Sequence, residues 1–484
     1  MSMFQSGLLV PSQISRVTTR RSAGSVAGAN PPLLIGGGTS NNGVLTAVTS
    51  VSAARAFWGA RSMLAQMVAA YRAIDPVGTL YAIGVADDAS GVPEVRTLTF
   101  SGTATESGTV ALYIGGTRIE ASVASGAAAS AVAASVEAAW DLSLNLPFTA
   151  SVSGAVVTIT ATQDGPSHTQ VDIRHSYQSG EKLPAGISLA FATTTAGATA
   201  PSIATAITAM ADEGFDYIGL GYSDTTNVGL LETEMGHTSG RWATLRENYG
   251  FAVTSKIDSS ANLISYGGAR NAPHVCVVGV ASSPTMPWVV TAQVIAQARL
   301  SMDANPALGL TSLELPGVLP PATTGRFSLA ARQTLIAAGM STLRTVGGVT
   351  QIERLVSTYK TDSNGDPDIS WQDATISAVM GRTLRTMKSN IATTYPRAVV
   401  VPDGTPVGAD PDNKVVWPKA VTGTHVNTYR ELEARGWLRD GDLFAVEASS
   451  AIDGDTPGRI NSTLPLRPVS PYIIGAIDAV LITN

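Results

Sequence analysis

The chain has one cysteine, Cys276, among 484 residues, so it cannot close an internal disulfide and lacks the thiols of a structural zinc site. Its five histidines, His168, His175, His237, His274 and His425, are scattered, and none falls into an H-E-x-x-H or Cys/His spacing that gathers metal ligands. Charge is also scarce. Only 14% of residues are Asp, Glu, Lys or Arg, against roughly a quarter in ordinary soluble domains. The net charge is −6 and no run is rich in Lys or Arg, which argues against direct nucleic-acid binding. No stretch offers 18 consecutive apolar residues, and the N-terminus lacks a basic-then-apolar leader pattern. These absences predict a chain made and kept in the cytoplasm, with no membrane partner and no cofactor.

Few charges leave much of the surface neutral. Such a surface protects poorly against self-association and suits a subunit that ends inside an assembly. At this length two to four domains are expected. The run Pro31-Pro-Leu-Leu-Ile-Gly-Gly-Gly predicts a short buried strand ending in a glycine turn. No Gly-Lys-Ser/Thr follows it, so it is not a phosphate loop. Ser62 opens a helix carrying Leu64, Met67, Val68 and Tyr71 on one face, and residues 79–85 return as a strand, the pattern of a βαβ layer. Residues 97–200 differ in texture, with short strand-like runs between glycine turns and only ten charged residues. We read an inserted, mainly β domain there, holding one Ala-rich helix over 125–141 on which Val132, Val136 and Trp140 recur at fourfold spacing. After it, residues 202–224 predict helix then strand. Residues 274–283 add a second core strand, followed by a helix over 289–300.

The stretch 345–371 reads as a hairpin. Val349, Ile352, Leu355, Val356 and several threonines favour extended backbone, and Asp362-Ser-Asn-Gly-Asp-Pro is a dense run of turn formers. Asp362, Asn364, Asp366 and Asp368 alternate like the start of a calcium loop. The glycine comes one position early and no Glu closes the loop, so a turn is the preferred reading. Asp373 is the expected N-cap of a helix reaching about Tyr395, apolar at Ile376, Val379, Met380, Leu384, Met387 and Ile391. Arg382, Arg385 and Lys388 are expected on its opposite, basic face. A further helix is expected over 426–437, then turn and strand through 438–450. The last run, 470–484, is extended and apolar on both faces.

The run IERLVSTYKTDSNGDPDISWQD, preceded by LELPGVLPPATTGRFSLAARQTLIAAGMSTL and followed by MKSNIATTYPRAVVVPDGTPVG, resembles the contractile-tail sheath proteins of Mu-like bacteriophages. The resemblance continues upstream through GGARNAPHVCVVGVASSPTMPWVVTAQVIAQA and more weakly to LLIGGGTSNNGVLTAVTSVSAARAFWGARSMLAQMVAAYR. Order and spacing carry it, since no single segment holds catalytic or metal-binding chemistry.

The resemblance implies a multidomain α/β (α+β) fold: a central subtilisin-like sheath core, an inserted mainly-β domain and extended N- and C-terminal arms. The expected division is an arm at 1–21, the first part of the core at 22–96, the insertion at 97–200, the sheath domain at 201–344, a C-terminal sheath domain at 345–470 and a terminal strand at 471–484. Leu8, Leu9 and Val10 with Ile473, Ile474, Ile477, Val480 and Leu481 are the implied inter-subunit arm residues, adding strands to neighbours by backbone hydrogen bonds. Arg382, Arg385 and Lys388 are the implied tube-facing residues. The implied partners are further copies in six-fold rings stacked helically, a tail tube protein, and baseplate and tail terminator proteins, the whole assembled in host cytoplasm as part of a virion. A sheath of a phage-derived contractile injection system fits the same residues. Two other classes are a subtilisin-like serine protease acting through Ser282 or Ser283, and an adhesin built on residues 97–200. The protease reading is poorly served, because Ala281-Ser-Ser-Pro-Thr-Met-Pro only loosely echoes a subtilase nucleophile segment and His274 precedes it by a few residues.

Overall fold

The computed structural model describes residues 28–406, 414–456 and 458–473. The chain is a mixed α/β protein in which the described residues divide into two compact units, one holding 28–385, 435–439 and 467–473, the other 386–406, 414–434, 440–456 and 458–466.

The larger unit is organised on an eight-stranded sheet. Six strands run parallel, in the order Met340–Val346, Val275–Val280, Phe251–Ile257, Tyr217–Leu220, Pro32–Gly37 and Tyr81–Val85. An antiparallel strand closes each edge, Val349–Arg354 at one side and Thr46–Ala47 at the other. Strands read from continuous apolar runs need cover on both faces, and Pro32–Gly37 and Val275–Val280 are buried at every position. Alternate side chains of the second strand enter different clusters. Cys276 and Val278 join the main core, whereas Val277 packs with Leu263, Leu335 and Met340. Period-two alternation thus places helices in two layers. Met63–Arg72 and Pro287–Ala304 pack on each other over one face, and Ser260–Gly268 and Leu329–Ala337 lie over the strands Val275–Val280 and Met340–Val346. Several helices begin where a side-chain oxygen accepts the orphan N–H three residues on, at Ser62 from Ala65, Asp224 from Asn227, Ser259 from Asn262 and Ser328 from Ala331.

Between Tyr81–Val85 and Tyr217–Leu220 the chain builds two antiparallel sheets. One has the order Ile187–Thr195, Pro93–Gly102, Val156–Asp164, Phe148–Ser153; the other, Thr117–Val123, Gly108–Ile114, Ile173–His175. The helix Ala129–Asp141 buries Val132, Val136 and Trp140, the residues its fourfold spacing selects. The Trp140 indole donates to the Phe148 carbonyl at 3.0 Å, so its one polar atom is satisfied.

In the smaller unit the helix Pro418–Ala434 presents Val421, His425, Tyr429 and Leu432 to its interior, and Tyr429 stacks on Phe444 at 3.9 Å. Two short sheets pair Val399–Val400 with Val415–Val416 and Ser449–Ile452 with Ile460–Thr463.

Three expectations change. The principal hairpin turns at Gly347-Gly348, both at positive φ (58° and 84°), rather than at Asp362. Two consecutive left-handed residues match the right-handed twist of the flanking strands, which the acidic turn does not supply. Residues 356–373 form only an irregular second loop joined by isolated bridges. The helix expected over 426–437 begins eight residues earlier, because Pro418 is preset for a first turn and the Asp403 carboxylate accepts the Lys419 N–H at 3.1 Å. Residues 441–447, expected as turn and strand, are the helix Gly441–Glu447, whose first N–H donates to Glu433 at 2.8 Å. Leu, Ala and Glu there favour a helical turn once that end is held.

Two glycines test this reading in opposite directions. Gly229 lies inside the helix Thr225–Glu234 with open space where a Cβ would go, so Gly229→Ala is expected to raise stability by about 0.5–1 kcal/mol. Gly348→Ala, at φ 84°, is expected to lower it by about 1 kcal/mol. Melting temperatures of the two variants, measured in one buffer, should move apart from the parent in opposite senses.

Candidate functional site

Four groups were singled out from the sequence: the basic row on the helix Ala374–Thr394, the serines after the Val275–Val280 strand, the histidines, and the acidic turn.

The basic row does not lie on one exposed face. Arg382 is 3% exposed, and its guanidinium donates to the carbonyls of Met302 (3.0 Å) and Asp303 (2.8 Å) while lying 5.8 Å from the Trp437 ring centroid. Those carbonyls are in the last turn of Pro287–Ala304, where no intrahelical N–H remains, so Arg382 closes a helix C-terminus. Arg385 makes a bidentate pair with Asp216, both contacts at 2.6 Å, and Asp216 also accepts the Asn30 N–H at 3.0 Å. Asn30 and Asp216 sit just before two parallel neighbours, Pro32–Gly37 and Tyr217–Leu220. The pair therefore ties the helix to the entry ends of the sheet. Lys388 alone of the three is exposed. The threefold spacing was compatible with a solvated face, but this helix buries a polar row, including Thr375, Ser377, Thr383 and Thr386, beside its apolar one. Asp373, expected as its N-cap, directs its carboxylate to Arg354 at 2.9 Å.

Ser283 is buried and its hydroxyl donates to the Leu319 carbonyl at 2.6 Å; Ser282 donates to Gly325 at 3.4 Å. His274 precedes the six-residue strand that both serines follow. At ~3.3 Å per residue that strand alone spans about 20 Å between them. A nucleophile and its base must touch. These residues do not form such a pair.

His274 instead belongs to an aromatic cluster. Its ring stacks on Trp242 at 3.8 Å and 4°, its Nδ1 meets Ser377 Oγ at 2.9 Å, and its Nε2 meets His237 Nε2 at 2.9 Å, with Trp371 edge-on at 4.9 Å. Two facing ring nitrogens hold one proton between them, one donating and one accepting. Burial first, then His237, holds the His274 imidazole well below its ordinary pKa. His168 is fully buried between Phe148 and Trp288 and burial pushes it to about 3. Nothing in sequence spacing signalled the pairing of residues 237 and 274.

In the acidic turn, Asp362 Oδ1 accepts the N–H groups of Asn364 (2.8 Å) and Asp366 (3.0 Å), a local turn that occupies the supposed calcium ligand. The Tyr359 hydroxyl, at 2.6 Å, holds the Asp368 carboxyl below its usual range. Among the described residues no three His, Cys, Asp or Glu side chains gather as a metal group. Of the arm residues only Ile473 is described; with Pro471 it lines a small cleft of Gly309, Leu310 and Leu355. Leu8, Leu9, Val10, Ile474, Ile477, Val480 and Leu481 lie outside the described residues.

Residues 196–358 match the family model for the phage tail sheath protein central domain. The chain is 27% identical over 425 residues to the Mu-like prophage FluMu tail sheath protein of Haemophilus influenzae, covering 88% of this chain and 86% of that one. Most of this chain is thus similar to phage tail sheath proteins. Among solved structures, the sheath tail protein of Desulfitobacterium hafniense aligns with 94% of this chain and 100% of its own at 11% identity and a TM-score of 0.48. An anti-feeding prophage baseplate in the contracted state aligns with 98% and 99% at 12% identity and a TM-score of 0.49. The stretch that matches the central-domain model takes in four of the six parallel strands, both serines and the paired histidines.

The internal role of Arg385 has a direct consequence. Asp216→Asn leaves that guanidinium without its carboxylate and is expected to cost about 3 kcal/mol, read as a lower melting temperature of the isolated chain. The buried histidines set an acid limit. Both His168 and His274 are lowered, so the folded chain keeps them neutral while the unfolded chain takes up protons below its ordinary value of about 6.5. Stability is therefore level above that pH and falls below it, the His168 share alone reaching ~2 kcal/mol at pH 5. His168→Phe should remove that share, giving a shallower fall in melting temperature between pH 6.5 and 4.5.

Proposed function

We propose that this chain is the structural subunit of a contractile phage tail sheath, polymerising as six-fold rings stacked around a tail tube and shortening to drive the tube through a host envelope. The observation that carries this reading is kinship with a Mu-like tail sheath protein across 88% of the chain, rather than over one portable domain. The composition supports it, since a surface with few charges suits a subunit surrounded by copies of itself. In this reading the parallel core is the subtilisin-like body of the sheath subunit, used as a scaffold and not for proteolysis. The arms 1–21 and 471–484 link neighbours by strand addition. Rigid bodies joined by pliant arms can release energy by gaining contacts, so no nucleotide or cofactor is required. The other proposed partners are a tail tube protein and the baseplate and terminator proteins, in a virion assembled in host cytoplasm.

Lys388 remains the tube-facing candidate of the basic row. Arg382 and Arg385 are not retained in that role, because their guanidiniums are engaged inside the unit. The same subunit chemistry serves a phage-derived injection machine.

Electron microscopy of the full-length chain, expressed without other tail proteins, tests the reading. Six-fold rings or tubes are expected, and they should disappear when residues 1–21 or 471–484 are removed while the melting temperature of the body is kept. Rings that persist without either segment would refute linkage through the arms. Monomers at every concentration, even with tail tubes supplied as template, would contradict the sheath reading itself.

A further inference from the structure

A cavity of about 340 Å³ opens at the carboxyl ends of two parallel strands, beside Val280 and Ala281 of one and Leu343 to Val346 of the other. Open α/β sheets place ligands at this end of their strands, and the volume lies in the ordinary range for small-molecule sites. Its walls are largely apolar, including Val318, Leu319 and Phe327, but three arginines line it: Arg326, Arg332 and Arg344. No carboxylate lines it. Glu353, just outside, pairs with Arg332 at 2.8 Å and so offsets one of the three charges. Among the described residues, Arg326 and Arg344 have no acidic partner. Arg326 donates from Nε to the Pro321 carbonyl at 3.1 Å, and Arg344 donates from one terminal nitrogen to Ser312 Oγ at 2.7 Å.

Two buried polar atoms of the lining have no hydrogen-bond partner within the chain, Arg344 Nε and Thr350 Oγ1. Thr350 is 3% exposed. An orphaned buried donor costs about 1–3 kcal/mol, and here two occur on one cavity that also holds surplus positive charge. The lining contains no histidine, cysteine or acid, and the Ser283 hydroxyl is committed to Leu319, so the cavity has groups to bind with and no base to react with.

We propose that this cavity is a binding site for a carboxylate carried on an apolar body, with the carboxylate accepting from Arg344 and Arg326 and the body lying against the apolar wall. The same chemistry is offered by a free aliphatic acid and by an acidic side chain flanked by aliphatic ones on a peptide.

Calorimetric titration of the full-length chain at neutral pH and low salt decides. Octanoate should bind saturably, and octanamide, equal in shape but uncharged, about tenfold or more weakly. Arg326→Met, in an exposed loop, and Thr350→Val, nearly isosteric, should each weaken octanoate binding several-fold with the melting temperature retained, and Arg344→Met should weaken it about tenfold. Arg430→Met, exposed in the other unit, should leave it unchanged. The acetylated, amidated peptide Leu-Asp-Leu identifies the source: tighter binding than octanoate assigns the site to a peptide partner, and weaker binding to a free acid. Equal affinity for octanoate and octanamide, or octanoate binding indifferent to Arg326→Met and Thr350→Val, overturns the proposal.

Discussion

Six parallel strands with apolar residues on both faces must be covered twice, and most of the larger unit follows from that requirement. Cys276 and Val278 on one side and Val277 on the other place a helical layer on each face. A parallel sheet also collects unpaired backbone and side-chain groups at its two ends. At the entry end Asp216 binds both the Asn30 N–H and the Arg385 guanidinium, so one carboxylate fixes two strands and a helix. At the exit end the loops after Val280 and around residues 318–327 leave a cavity with arginines and unsatisfied donors. The two ends differ in kind, one closed by ion pairing and one left open with excess positive charge.

This arrangement explains how a chain poor in charge still uses its charges heavily. Arg382 closes a helix C-terminus, Arg385 and Arg354 hold carboxylates, and Arg241 is wholly buried, its guanidinium lowered to about 10 by that burial. Arginine suits these places because its fork matches two acceptors at once and stays charged when buried. A body braced in this way can move as a unit, which is what the proposed contractile lattice asks of its subunits.

Much of the core was legible from periodicity. Leu33, Leu34 and Ile35 before a glycine turn, Val275 to Val280, and the Val132, Val136, Trp140 row all lie where alternation or fourfold spacing puts them. Turns and helix ends were less legible. The Gly347-Gly348 hairpin lost to the richer turn composition at Asp362, and the start of Pro418–Ala434 depended on Asp403, fifteen residues before it. The basic row was misread for a related reason. Spacing shows which residues share a helix face, but whether that face meets water or Asp216 depends on a strand far away in sequence. The His237 and His274 pair and the arginine-lined cavity had no local signal, since their members come from separate segments of the chain.

The central claim is that this rigid body is the repeating unit of a contractile sheath. Helical reconstruction of the polymer formed by the full-length chain on tail tubes, before and after contraction, tests it most directly. The account predicts six-fold symmetry in both states, with residues 28–385 superposing as one unchanged body and the Asp216 to Arg385 pair intact, while the connections between bodies change. Remodelling of the parallel sheet itself, or rupture of that pair on contraction, would contradict it.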